Sequence, residues 1–444
     1  MGDKEAFQRV RVPAPFLKRR LPSGRGATEQ PNSTSEDVPL TARLWLAVLI
    51  TGVAAGLFGD LMMWILFSLE HLAFGTGSGD FQSRVERASQ MHRVVVLLIA
   101  GAFAGPAWYL LRRFTEGERS EVDEVVWTGE GKLSFRRVLI SGAISEVVIG
   151  MGASIGREAA PKALGGVSGD LAAGWLGLDS GQRRLLVACG AGAGLAAVYN
   201  VPLGGALFAA ELMLGSITLP NVMPATLCSF VATGVSWIYL PRHSAYVGIP
   251  NFRFSLSLLV FALVAGPAVG VLASAYIRMI GWISHHHLER VPLIIGPLVA
   301  FGGLGLVGIA YPQLFGNGKD MALRAFLGIG GAWLLLALFL LKPLVTALCL
   351  GGGAQGGLLT PFMSTGAVLG ALGGVLWTMA WPGSPVGAFA LIGAAAMLGA
   401  SIQAPLAGLV LVVELTQSGL DLMVPIMAAT FLATELARRI DGYS

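Results

Sequence analysis

The sequence carries little charge. Only 13% of its 444 residues are Asp, Glu, Lys or Arg, about half the roughly 25% of an average soluble domain. A soluble globule of this size could not hide a chain that is 54% hydrophobic behind so few charges. A polytopic membrane protein can, because lipid replaces water as its outer solvent. Cysteine is scarce as well. Cys189, Cys228 and Cys349 lie far apart in apolar stretches, which excludes a disulfide framework and a cysteine-based metal site and leaves three small hydrophobes. No segment alternates with the period of a barrel strand, so the fold class is all-α. No basic cluster is interleaved with aromatics, so nucleic acid is not an expected partner. No cofactor motif is evident either. What the chain has in surplus is glycine, 61 residues, about 14% against an average near 7%.

Residues 1–41 are polar, rich in Pro and Ser, and lack the apolar core of a signal peptide. Arg9, Arg11, Lys18, Arg19, Arg20 and Arg25 give this tail a basic run without an acid, which predicts a cytoplasmic N-terminus at the inner (plasma) membrane. Apolar runs follow at 42–69, 94–111, 138–156, 184–200, 203–240, 254–278, 293–311, 333–350, 358–381, 386–415 and 422–437. The 203–240 run is too long for one crossing, and Pro220 and Pro224 are expected to break it. The runs divide into a first transmembrane half at 42–241, a connector at 242–253 and a second half at 254–444.

The halves resemble each other. Laying Cys189–Leu212 over Ile392–Leu415 matches ten of 24 positions without a gap, among them Pro202 with Pro405, Gly205 with Gly408 and Glu211 with Glu414. Upstream, Gly152–Gly156 lies over Gly353–Gly357, and downstream Pro224 meets Pro425, at nearly the same offset. Duplicated halves with glycine-broken segments at matching positions point to a transport site. A helix that stops inside the membrane exposes unpaired N–H groups and the positive end of its dipole. Several such ends together can hold an anion. Glycine would allow both the breaks and the close approach of backbone to the ion.

Within this frame Gly156-Arg157-Glu158-Ala159-Ala160-Pro161 places two charges in apolar sequence, and an intramembrane ionisable residue is a functional candidate by default. The stretch resembles the G-R-E-G-P motif of the CLC chloride channels and chloride/proton antiporters. Ala191–Gly205 resembles that family's G-A-A-A-G-L-A-A-A-F-N-A-P-L-A-G segment, Gly356-Gly357-Leu358-Leu359-Thr360-Pro361 its G-G-x-F-x-P motif, and Glu414-Leu415-Thr416 its late E-L-T. The resemblance spans about residues 42–442. It implies two inverted halves of broken, tilted helices, a homodimer with one pore per subunit, and chloride or a similar small anion as substrate, with protons as a second ion. It makes Glu158 the external gate and sets backbone N–H groups around Gly156, Arg157, Gly357, Leu358 and Leu359 along the anion path, with Arg157 bracing the segment.

Three departures qualify this likeness. An ungapped count back from Glu158 puts the family's G-S-G-I-P-E motif on Glu116–Glu121, with Gly117 where an anion-binding serine is expected. The position of the internal proton-carrying glutamate is Leu212, which cannot relay a proton and argues against tight coupling. Its neighbour Glu211 lies about 100° around a helix, and with Glu414 as its mate in the repeat it is expected to be structural. The inner-gate tyrosine falls beyond Ser444, and Tyr443 is not its match. The alternatives are a proton-coupled chloride or fluoride antiporter and, in another class, an intramembrane serine hydrolase built on Ser154, because Gly152–Gly156 also reads as G-x-S-x-G. Lys342 and Asp60 fall near span ends or in the bundle interior, Lys342 having a stem long enough to snorkel, and neither is assigned a function; His285–His287 are expected to lie in a connector.

Overall fold

The computed structural model describes residues 38–77, 79–115, 117–118, 121–128, 132–285, 294–418 and 420–442. Most of the basic N-terminal tail, Glu116, Arg119, Ser120, His286, His287 and Tyr443 therefore lie outside the described residues. The first half comprises α1 (Ala42–Phe74), α2 (Phe81–Arg87), α3 (Gln90–Phe114), α4 (Val122–Thr128), α5 (Phe135–Gly150), α6 (Ala159–Trp175), α7 (Ser180–Tyr199), α8 (Pro202–Leu207) and α9 (Leu219–Ser236). The second comprises α10 (Leu256–His285), α11 (Gly296–Ala310), α12 (Lys319–Phe326), α13 (Ala332–Gly351), α14 (Leu359–Ala380), α15 (Val386–Ile402), α16 (Pro405–Thr416) and α17 (Met423–Asp441). Among the described residues six segments are long and apolar enough to cross a membrane: α1, α3, α13, α14, Leu256–Ile283 within α10 and Leu420–Asp441 around α17.

Local chemistry sets many of the boundaries. Thr41 caps α1 by accepting from the Leu44 N–H at 3.3 Å, and Asp179 with Gln182 forms a reciprocal capping box on α7. The 203–240 run resolves into α8, a π-helical turn over Phe208–Met213, and α9. Pro220 lies in the first turn of α9, where its missing N–H is harmless. Pro224 sits inside that helix and does not end it, contrary to the expected break. The polar stretches at 73–93, 112–135 and 312–326 are also less irregular than their composition suggests, since they hold α2, α4 and α12.

The duplication is visible in the backbone itself. α5 ends in a turn where the Ala153 N–H donates to Val148 O at 2.9 Å, and α13 ends with Ala354 donating to Cys349 O at 3.1 Å. Gly152 and Gly353, at φ +109° and +98°, make these two turns. α7 and α15 both end on a left-handed residue, Asn200 at φ 58° and Gln403 at φ 57°, followed by a residue of matching conformation, Val201 at φ −130°, ψ 67° and Ala404 at φ −133°, ψ 82°, and a proline that starts the next helix. The halves meet in two reciprocal bonds, Gly156 N–H to Gly357 O at 2.8 Å and Gly357 N–H to Gly156 O at 2.7 Å. Such an antiparallel pair places the two loops across an approximate two-fold axis, as inverted repeats require.

Much of the glycine surplus serves helix contact rather than breakage. A Cβ at Gly165 would strike the carbonyl oxygen of Gly190, and a Cβ at Gly190 that of Gly165, where α6 packs on α7. Gly366 and Gly393 block each other in the same way between α14 and α15. Removing the side chain lets backbones approach closely, which drives helix association where no hydrophobic effect operates between helices. Gly165→Ala should therefore lower the stability of the detergent-solubilised protein by about 1–3 kcal/mol, read as a fall in its unfolding midpoint. Gly174→Ala, on the same helix with open space around its Cβ position, should be neutral or slightly stabilising.

Candidate functional site

Glu158 stands immediately before α6, and its side chain caps another helix instead of its own. Its Oε1 accepts from the Leu359 N–H at 2.6 Å, at the first residue of α14. This is a carboxylate held at a helix N-terminus, where the unpaired N–H groups and the dipole favour negative charge. The second oxygen, Oε2, lies 3.2 Å from both the Tyr199 hydroxyl and Thr360 Oγ1. Those two hydroxyls are 2.6 Å from each other. Each hydroxyl has a single proton, so when one donates to the other, only one is left to donate to Glu158. The carboxylate is 2% exposed.

Gly156 and Gly357 form the floor of this arrangement. A Cβ on either would collide with the Glu158 carboxylate, so at these two positions glycine is a steric requirement of the site. Thus Gly156, Gly357, Glu158 and Leu359 come together, although some 200 residues separate the two loops. Leu358 precedes α14 as its N-terminal cap. The guanidinium of Arg157 lies over the Tyr199 ring at 4.9 Å from its centroid and near the Phe67 ring at 5.9 Å, within cation–π range. Gly117 is in an exposed turn at φ +80° with open space around it, and among the described residues no hydrogen bond joins it to Glu158. Leu212 is half-buried in the π-helical turn and packs on the hydrophobic core.

Glu211 and Glu414 perform an exchange between the halves. Glu211 accepts from the Leu406 and Ala407 N–H groups at 3.2 and 2.6 Å, at the start of α16. Glu414 accepts from the Leu203 and Gly204 N–H groups at 3.1 and 2.6 Å, at the start of α8. Each carboxylate supplies the acceptors that a proline-initiated helix lacks in its own sequence.

Lys342 does not snorkel. It is fully buried, donating to Ser154 Oγ at 2.8 Å, Gly316 O at 2.8 Å and Leu314 O at 3.4 Å. Three acceptors match the three protons of the ammonium, which removes the need to reach an interface and ties α13 to the loop before Glu158. Ser154, also fully buried, has no face open to a substrate, and nothing in the site supports a serine hydrolase.

Tyr199, Thr360 and Glu146 escaped the sequence reading. For Tyr199 a signal was present: it stands where the quoted family segment has Phe, and the added hydroxyl is the atom that meets Glu158. For Glu146 the signal was an ionisable residue inside the apolar run 138–156, whereas nothing in the local sequence marks Thr360.

An all-helical membrane fold of two broken-helix repeats, joined where a carboxylate occupies a helix N-terminus, defines an anion-transport architecture. A family model described as voltage gated chloride channel matches residues 95–438, and the chain belongs to this CLC family. It is 32% identical over 352 residues to a putative chloride channel protein ClcB-like of Ralstonia nicotianae, covering 76% of this chain and 80% of that protein. It is 28% identical over 425 residues to the H(+)/Cl(-) exchange transporter ClcA of Vibrio cholerae, covering 92% and 89%. A slow cyanobacterial Cl-/H+ antiporter has the same fold, with TM-score 0.78 at 22% identity over 90% of this chain and 96% of that one.

The reciprocal caps yield a stability prediction. Glu414→Ala leaves the Leu203 and Gly204 N–H groups without their acceptor and should cost about 1–3 kcal/mol, as should Glu211→Ala. Thermal unfolding in detergent measures both. Anion flux per folded molecule should survive either change, whereas its loss from Glu211→Ala alone would make that residue functional.

Proposed function

We propose that the chain moves chloride or a similar small anion across the cell's inner membrane, with Glu158 as the gate. The observation that carries this reading is the 2.6 Å bond from the Leu359 N–H to the Glu158 carboxylate. A group that binds a carboxylate oxygen through helix N-terminal N–H donors also binds a free anion. The side chain and the anion then compete for one position, and protonation or displacement of Glu158 opens the path. Backbone N–H groups around Gly156, Arg157, Gly357, Leu358 and Leu359 supply the donors, with Gly117 at the approach. The pore works in a homodimer with one path per subunit, the N-terminal tail being cytoplasmic and the lipid bilayer the outer solvent.

Proton-coupled exchange is the second reading, supported by the exchange activity named for the Vibrio cholerae relative. Leu212, in the place of a proton carrier, weighs against tight coupling. A fluoride-selective exchanger is a variant of the same reading.

Liposomes holding the purified protein provide the test, with chloride efflux and external pH followed together. Wild type should release chloride faster at acidic pH. Glu158→Gln should make the flux insensitive to external pH, because an amide cannot be switched by protonation, and pH dependence that persists in that variant would place the gate elsewhere. No anion flux under any gradient would refute the function, and uphill proton movement driven by chloride would establish exchange.

A further inference from the structure

Glu146 lies one turn before the end of α5 and is fully buried. Among the described residues neither of its carboxylate oxygens has a hydrogen-bond partner. Its neighbours on α5 are spent elsewhere: Ser145 donates to Gln355 O at 2.6 Å and Ser141 bonds the Gln355 side chain, both on the loop of the second half. Helix packing asks for an apolar residue at such a position, since burying a carboxylate without donors costs several kcal/mol. A carboxylate kept there must bind a proton or meet a donor brought by movement.

The charged groups that act on Glu146 are Arg157 and Glu158 from the gate loop and Glu70 from α1. Glu70 lies next to the end of α5, because a Cβ at Gly150 would reach the Glu70 N and Leu66 O. It pairs with Arg84 of α2 at 2.9 Å, with 14% of its side chain exposed, and it also feels Lys319 and Asp320 of α12. Arg157 is shared electrostatically among Glu70, Glu146 and Tyr199. Two carboxylates thus act on one guanidinium, and Glu146 is the more buried of the two.

We propose that Glu146 is a proton-binding site coupled to the gate, exchanging its proton with Glu158. The inference rests on the reading of Glu158 as the gate. While the Glu158 carboxylate is held by the Leu359 N–H and a hydroxyl, its negative charge is compensated there. When an anion takes that position, Glu158 leaves as the protonated acid: an O–H bond breaks at Glu146 and one forms at Glu158. Glu146, now ionised beside Arg157, regains a proton from the aqueous side past Glu70. Anion entry and proton uptake are then linked near the gate without a carboxylate at Leu212.

Two measurements test this on the intact protein in detergent or lipid. In pH-difference infrared spectra, wild type should show a carboxylic-acid C=O band that is absent from Glu146→Gln, present in Glu158→Gln and retained by Glu146→Asp. Calorimetric titration with chloride, in buffers of different ionisation enthalpy, counts protons taken up on binding. That count should fall about twofold or more in Glu146→Gln, as expected when one of two interacting sites is removed, while the variant still passes anions in liposomes. Identical infrared spectra for wild type and Glu146→Gln, or an unchanged proton count, would overturn the proposal. If wild type neither binds nor passes chloride, the transport reading fails instead, and the infrared comparison still decides whether Glu146 holds a proton.

Discussion

A helix that begins inside an apolar bundle presents N–H groups that water cannot satisfy. The rest of the site depends on how this chain meets that demand. At α14 the acceptor is a side chain from the other half, Glu158 on the Leu359 N–H. At α16 and α8 the acceptors are Glu211 and Glu414, again each from the opposite half. Three of the few carboxylates in the apolar region therefore do the same physical job. The difference is release. Glu211 and Glu414 each bond two N–H groups, whereas Glu158 takes one N–H and leans otherwise on a hydroxyl pair. A carboxylate held by one strong donor and a shared weaker one is the easiest of the three to displace.

The two-way bond between Gly156 and Gly357 supports this arrangement. It fixes the loop before Glu158 against the loop before α14, so the carboxylate and the Leu359 N–H face each other without any further connection. Around it, Ser141 and Ser145 hold Gln355, and Lys342 holds Ser154 and the Leu314–Gly316 turn. The serine bonds to Gln355 and the Lys342–Ser154 bond also cross between halves. Positions on rigid, mutually braced elements are what a site needs when small displacements decide whether a side chain or an ion occupies it.

Much of the fold was legible from the sequence because its signals are periodic or repeated. The all-helical class followed from apolar run length, and the two halves from the matched glycines, prolines and glutamates. The structural pairing of Glu211 with Glu414 was also readable, since each is the other's mate in the repeat. Other features were hidden for physical reasons. Pro224 looks like a breaker but sits within the interior of α9. Lys342 has the stem of a snorkelling residue, yet it finds three acceptors within the bundle. The matched glycines suggest helix breaks and close approach to an ion, and at Gly156 and Gly357 glycine leaves room for the Glu158 carboxylate. At Gly165, Gly190, Gly366 and Gly393 it is instead the place where two helices touch.

By itself the sequence determined the solvent, the helical class, the duplication and the charge that stands out, because low charge, run length and motif order are properties of the chain alone. Only the tertiary structure decided which group each polar atom meets. Tyr199 and Thr360 become partners of Glu158, and Glu146 becomes a buried carboxylate without a hydrogen-bond partner among the described residues, through contacts between segments far apart in the chain. Hydrogen bonds and burial depend on those long-range neighbours, and no local pattern of residues encodes them.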